Sequence, residues 1–298
     1  ASWSRGLGDV YKRQGKGDDL TLGKYDGIFK GDTVFPTISA WYVLPPLALL
    51  FITRLGIPVS TTFLVLTFFA PKALPQMLVK SLGGYGVAFT FAIVAFIALS
   101  KVTERLFMRH PFGGENHGLW TNRRFWTTLQ WASTGFLWSQ WLTQDLVNIM
   151  VYLGDPREVG VGTFAFALAV LLAMLGYIFY RRGGKIQEIV RVKTNTQDIR
   201  SATFIDLFYG LVLLLFKFDM LGVGAKIPMS TTWVFLGMLA GREVALRLRL
   251  DEANQDGRKV WTMVFSDLGK ATIGLVVSVL LVVFLYLVEG RELALLFG

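Results

Sequence analysis

Two short stretches concentrate hydroxyl groups: "IPVSTT" at Ile57 to Thr62 and "IPMSTT" at Ile227 to Thr232. In each, proline ends the preceding run, and the serine that follows, Ser60 or Ser230, can cap a new helix whose first amides have no intrahelical acceptor. Those amides, the positive end of the helix and the hydroxyls of Ser60, Thr61, Thr62, Ser230, Thr231 and Thr232 make a cradle for an oxyanion. Phe63 and Trp233 stand where Glu or Gln would complete a capping box, so the amides are not satisfied that way. The competing reading is packing, with Ser and Thr bonding back to the i−4 carbonyl at a tight helix crossing. Two copies with the same Ile-Pro prefix favour the anion site.

A second polar cluster lies in "SQWLTQDLVNIM", where Gln140, Gln144 and Asn148 recur at i, i+4 and i+8 and Asp145 precedes Asn148 by one turn. An Asp at mid-span costs at least about 2.5 to 3.5 kcal/mol on insertion scales, so Asp145 should face a polar cavity on an ion or proton path. An inter-helix hydrogen-bond clamp is the alternative. Asp206 and Asp219 also lie in or near an apolar run, Asp206 near its cytoplasmic start and Asp219 close to Lys217. Interfacial placement accounts for both.

The elements that must position these groups are membrane helices. The chain has 298 residues, 53% hydrophobic and 14% aromatic, with mean hydropathy +0.50, too apolar for an ordinary soluble domain. Spanning the hydrocarbon takes about 20 mainly apolar residues. Such runs occur at 36 to 53, 83 to 100, 126 to 153, 161 to 180, 203 to 222, 230 to 247 and 268 to 288. The stretch 60 to 71 is shorter, ends at Pro71 and reads as a half-helix or re-entrant segment. Basic residues crowd the loops 101 to 124 and 181 to 200 and the segment 248 to 260, which places all three on the cytoplasmic side. The helix after the first "STT" then runs outward and the helix after the second runs inward. The likeness continues in "KSLGGYGVAFTFAIVAF" (80 to 96) and "SDLGKATIGLVVSVLLV" (266 to 282). The expected fold is therefore all-α and polytopic, with inverted-topology repeats and broken or re-entrant helices: a polar segment at 1 to 35, a first, incomplete repeat at 36 to 118 and a second, inverted repeat at 119 to 298.

Other classes fit poorly. Cysteine is absent, so no disulfide framework or thiolate metal site exists. His110 and His117 share one polar loop and lack carboxylates at metal-ligand spacing, so no metal site is expected. The net charge of +9 comes in short blocks between apolar runs rather than on one continuous face, the pattern of membrane loops and not of nucleic-acid binding. Without a membrane histidine or paired carboxylates, an embedded enzyme is disfavoured. Trp120, Trp126, Trp131, Trp138 and Trp141 read as interfacial belt and packing, with no ligand role. The opening "SWSRGLGDVYKRQ" resembles a translated sequencing-adapter string, which would make residues 1 to 14 non-native; the alternative is a polar amino-terminal tail, and neither reading gives a signal peptide, because no apolar core follows the positive charges.

Taken together, "GIPVSTTFLVL" and "KIPMSTTWVFLGMLAG" resemble the duplicated G-x-P-V-S-T-T-H-x-x-x-G-x-x-x-G signature of the PiT-type inorganic phosphate transporters. The second copy keeps Pro228, Ser230, Thr231, Thr232, Gly237 and Gly241 in register. "LTQDLVN" is similar to that family's G-A-N-D-V-A-N, matching at Asp145 and Asn148 with Gln144 in place of Asn, and "GGKIQEIV" resembles the stretch that links the two signatures. Three departures stand out. Phe63 and Trp233 replace the histidines, Thr67 and Pro71 replace the glycines of the first copy, and no Asp-x-x-Asn stretch precedes residue 60. The missing stretch is expected in a chain extended at its amino terminus.

The resemblance implies cation-coupled symport of inorganic phosphate across the cell membrane. Ser60, Thr61, Thr62, Ser230, Thr231, Thr232, Asn148 and Gln144 would bind substrate, and Asp145 with Asn148 would hold the coupling Na+ or H+. Beyond that ion no cofactor is implied. The expected partners are inorganic phosphate or a similar oxyanion and the lipid bilayer, with homo-oligomerisation left open. Sulfate or another oxyanion, and a non-transporting membrane subunit or sensor, are the alternatives.

Overall fold

The computed structural model describes residues 40–109, 118–152, 160–181, 199–217, 228–249 and 257–290. His110, His117, Asp219 and "GGKIQEIV" fall outside them. Every described element is helical: α1 Leu44–Arg54, a π-helical segment Thr62–Leu66 leading into α2 Thr67–Phe69, α3 Leu74–Arg109, α4 Arg123–Asp145, α5 Val147–Met150, α6 Val161–Tyr180, α7 Ile199–Lys217, α8 Thr231–Arg249 and α9 Gly257–Val288.

Four stretches are long and apolar enough to cross a membrane: Pro71–Leu99, Val161–Ile178, Ile199–Lys217 and Val264–Val288. Ala40–Arg54 is apolar but shorter. Helices α4 and α8, read from sequence as spans, do not meet the same apolar criterion, because Gln130, Gln140, Gln144 and Asp145 interrupt the first and Arg242 and Glu243 the second. Two boundaries also move. Helix α3 starts at Leu74 rather than 83, absorbing a fully buried Lys80 that breaks the apolar run, and α9 starts at Gly257 within a segment expected to be a loop.

Local chemistry sets where the first hexapeptide begins. Pro45 and Pro46 open α1, where a missing amide proton costs nothing. The helix closes on a Schellman arrangement: the Gly56 amide donates to Thr53 O and the Ile57 amide to Ile52 O, with Gly56 at φ 74°, a conformation that glycine tolerates. Pro58 then turns the chain into Ser60. The short helical run stops at Ala70, before Pro71, as its length and proline predict.

Two helix pairs hold the molecule together. Helices α3 and α8 run parallel, because Ser81 meets Ser230, Tyr85 meets Gly237 and Phe89 meets Gly241 in ascending order. A Cβ at Gly237 would collide with the carbonyl oxygen of Tyr85, and one at Gly241 with that of Phe89, so the G-x-x-x-G brings two backbones into contact. Helices α4 and α7 also run parallel. Thr203 Oγ1 donates to Gln130 Oε1 (2.8 Å), while Gln130 Nε2 and Thr134 Oγ1 both donate to Asp206 Oδ2 (2.7 and 2.6 Å). Asp206 is therefore tied into the α4–α7 interface, a tighter role than the interfacial placement expected of it. The topology read from the basic loops gives each pair a common direction, as observed. Helix α6 packs on neither pair: none of its spanning window is buried within the described residues.

The core has two main parts. One surrounds the first hexapeptide, with Phe63, Leu66, Phe68, Tyr42, Met77, Trp233 and Leu285. The other joins α3, α7 and α8 through Ala88, Ala92, Val212, Leu213, Phe216, Val234 and Met238. Apolar packing that fixes two broken ends against each other is what gives the polar groups between them a defined geometry.

Candidate functional site

Both serines cap their helices as expected. The Phe63 amide donates to Ser60 Oγ (3.2 Å) and the Trp233 amide to Ser230 Oγ (3.3 Å), each the third amide of its helix. This consumes one donor per helix that the sequence reading had left for a ligand. The amides of Thr61, Thr62, Thr231 and Thr232 have no acceptor among the described residues.

The two hexapeptides lie against each other in opposite directions. Thr62 Oγ1 donates to Met229 O (3.3 Å) and Thr232 Oγ1 to Val59 O (3.4 Å), so the third hydroxyl of each copy reaches the carbonyl just before the serine of the other. The next residues, Phe63 and Trp233, touch edge to face at 6.0 Å and 82°. Behind the second copy, Ser81 Oγ of α3 accepts the Ser230 amide (2.8 Å). Behind the first, Gly274 of α9 leaves room for the backbone of Pro58, whose oxygen would lie 3.0 Å from a Cβ placed there.

Helix α4 brings a carboxylate to this junction. Thr231 Oγ1 donates to Asp145 Oδ2 (2.7 Å), Thr62 Oγ1 lies 3.4 Å from Asp145 Oδ1, and Asn148 Nδ2 donates to the same Oδ1 (3.2 Å) and to Thr61 Oγ1 (3.2 Å). Asp145 thus sits at the first turn of both hexapeptide helices, where their unpaired amides favour negative charge. Leu146, between α4 and α5, keeps helical torsions (φ −61°, ψ −30°) and its amide donates to Leu142 O (2.9 Å), so the carboxylate and Asn148 follow each other by one turn on a continuous helical path.

All nine residues singled out from sequence are described, and the structure brings seven of them together through this network or its caps: Ser60, Thr61, Thr62, Asp145, Asn148, Ser230 and Thr231. Thr232 joins at the hexapeptide crossing. Gln144 is fully buried, and among the described residues Trp141, Asp145 and Asn148 of α4 and α5 bond to hexapeptide hydroxyls along a face slightly rotated from the Gln140–Gln144–Asn148 flank.

Two partners escaped the sequence reading. Trp141 Nε1 donates to Thr231 Oγ1 (2.9 Å), and Tyr209 of α7 donates its hydroxyl to Thr231 O (2.9 Å). The first was findable, since Trp141 lies one turn from Asp145 on the same face; the second depends on how α7 packs.

No group of three or more His, Cys, Asp or Glu gathers among the described residues. The oxygens of Asp145, of the threonines and of Asn148, whose Oδ1 is buried with no hydrogen-bond partner among the described residues, are a hard donor set suited to an alkali cation or proton rather than to a transition metal. Compared with protein-family models, curated proteins and solved structures, the chain matches none.

Proposed function

We propose that this chain is a secondary transporter that moves inorganic phosphate, or a tetrahedral oxyanion like it, across the cell membrane together with Na+ or H+. The observation that carries the reading is Asp145, a single carboxylate approached at once by a hydroxyl from each hexapeptide, Thr62 and Thr231. Hydroxyls and helix-end amides recognise tetrahedral oxygens, and two oppositely directed copies supply donors from two sides.

Asp145 explains why a cation would be needed. An ionised carboxylate at the donors repels a second anion and occupies its hydrogen bonds. A sodium ion against Asp145 and Asn148 Oδ1, or a proton on the carboxylate, removes that charge and frees the donors. Coupling also offsets the membrane potential, which opposes anion entry by about 2.3 kcal/mol per charge per 100 mV.

The test is uptake of radiolabelled phosphate by proteoliposomes under imposed sodium or proton gradients, with sulfate as competitor. Accumulation should require one of the two gradients and vanish in Asp145→Ala. Undiminished accumulation by that variant would sink the coupling role.

The Phe63–Trp233 contact favours a second reading, a non-transporting sensor or membrane subunit, because two buried rings fill the junction where the PiT-type signature has histidines. Binding of phosphate without gradient-driven accumulation would select it.

A further inference from the structure

We propose that Trp141 is a positioning residue: by donating to the Thr231 hydroxyl it orients that group and strengthens the bond the hydroxyl gives to Asp145, so that Thr231 becomes available to an anion only after the carboxylate is neutralised. The inference rests on the reading of this site as one that couples a cation to an oxyanion.

Hydrogen-bond polarity makes the argument. An indole N–H can donate but never accept, whereas a threonine hydroxyl has one proton and two lone pairs. Across the 2.9 Å contact Trp141 must donate and Thr231 Oγ1 must accept. The hydroxyl proton is then left for the other partner, Asp145 Oδ2, at 2.7 Å, the distance of a charge-assisted bond. The result is a directed chain from indole to hydroxyl to carboxylate, in which each bond polarises the next. Tyr209 holds the carbonyl of the same residue at 2.9 Å, so Thr231 is fixed at its backbone as well as at its side chain.

The counterpart in the first hexapeptide is built differently. Thr61 Oγ1 accepts from Asn148 Nδ2 at 3.2 Å, and because the same Nδ2 donates to Asp145 Oδ1 at 3.2 Å the amide can present its oxygen instead only once the carboxylate is neutralised. One threonine is held by a partner that can exchange donor for acceptor when the carboxylate is neutralised, and the other by a partner that can only donate. The fixed side therefore sets the order of binding: cation at Asp145 first, anion at Thr231 second.

The experiment uses the full chain in lipid nanodiscs. The indole N–H vibration of Trp141, isolated as the difference between wild type and Trp141→Phe in ultraviolet resonance Raman spectra, should report a bonded N–H and shift to the unbonded position in Thr231→Val. A band unmoved by Thr231→Val overturns the proposal whatever the ligand. In parallel, binding of inorganic phosphate is measured at constant pH with and without sodium, and at two pH values without sodium. Whichever condition strengthens wild-type binding, Trp141→Phe should reduce that enhancement about tenfold, while Trp131→Phe, which alters a well-exposed ring of the same helix, should leave it unchanged. An enhancement preserved in Trp141→Phe overturns the proposal. A wild-type chain that binds no phosphate under any condition overturns the phosphate reading and the binding order with it, and the Raman shift then still decides whether Trp141 sets the polarity of Thr231.

Discussion

Phe63 and Trp233 occupy equivalent places in the two hexapeptide segments and meet edge to face, their ring centroids 6.0 Å apart and both side chains buried. Directly beside them the Thr62 and Thr232 hydroxyls exchange bonds with the opposite copy. The crossing thus carries both a buried aromatic pair and the hydroxyl contacts to Asp145. Phe63 is 0% exposed, so Phe63→Ala should destabilise the protein by about 3 to 5 kcal/mol, as for other buried aromatics truncated to Ala. Phe63→Leu, which keeps most of the volume, should cost under about 1.5 kcal/mol. Chemical unfolding in mixed micelles checks both; equal losses would show that the ring is not packed as described.

The threonines separate by bond quality. Thr231→Val removes a 2.7 Å bond to a carboxylate and should cost about 1.5 to 3 kcal/mol. Thr232→Val removes only a 3.4 Å contact to Val59 O and should cost less than about 1 kcal/mol. Both substitutions keep the β-branched shape, so cavity effects are small. The same unfolding measurement distinguishes them, and a larger loss for Thr232→Val would contradict the geometry.

Much of this arrangement was legible in the sequence because it depends on local rules. Serine after Ile-Pro-x caps a helix, Pro71 stops the short run, and Asp145 with Asn148 one turn later share a face whatever else the chain does. What was not legible depends on packing. The apolar run begins at 83, yet α3 extends back through Lys80 to Leu74, and the bundle buries Lys80. Trp141 looked like belt or packing because its donor has meaning only once Thr231 of a distant helix is beside it. Asp206 looked interfacial because the sequence does not show that Gln130 and Thr134 face it.

The G-x-x-x-G of α8 gives a steric prediction. Gly237→Ala and Gly241→Ala each place a methyl against a backbone carbonyl of α3, which cannot rotate away as a side chain would. Overpacking costs about 1 to 3 kcal/mol where side chains can adjust, and the rigid neighbour puts these two at or above the upper end. Gly83→Ala and Gly269→Ala, with nothing within 4 Å of the added carbon, should be neutral or slightly stabilising. Thermal aggregation of the four variants in one detergent gives the comparison, and a tolerated Gly237→Ala would mean that the helices stand further apart.

Asp206 and Asp145 are both carboxylates in contact with threonine hydroxyls, and they should separate cleanly by role. Asp206 Oδ2 takes two short bonds from a single neighbouring helix, α4, and touches neither hexapeptide. Asp206→Ala removes the acceptor of the Thr134 hydroxyl and one of two acceptors of the Gln130 amide, which should cost about 1 to 3 kcal/mol of stability, and on the proposed transporter reading it should leave phosphate binding and its cation dependence in the wild-type range. Asp145 joins elements on both sides of the hexapeptide crossing. Its charge lies among unpaired helix-end amides, so replacing it relieves repulsion of an anion at the same time as it removes a hydrogen-bond acceptor. On the proposed transporter reading, Asp145→Asn should therefore bind phosphate without needing the cation and lose gradient-driven accumulation. Stability and phosphate binding measured on the same two preparations test the division, and a cation dependence lost in Asp206→Ala but kept in Asp145→Asn would reverse it.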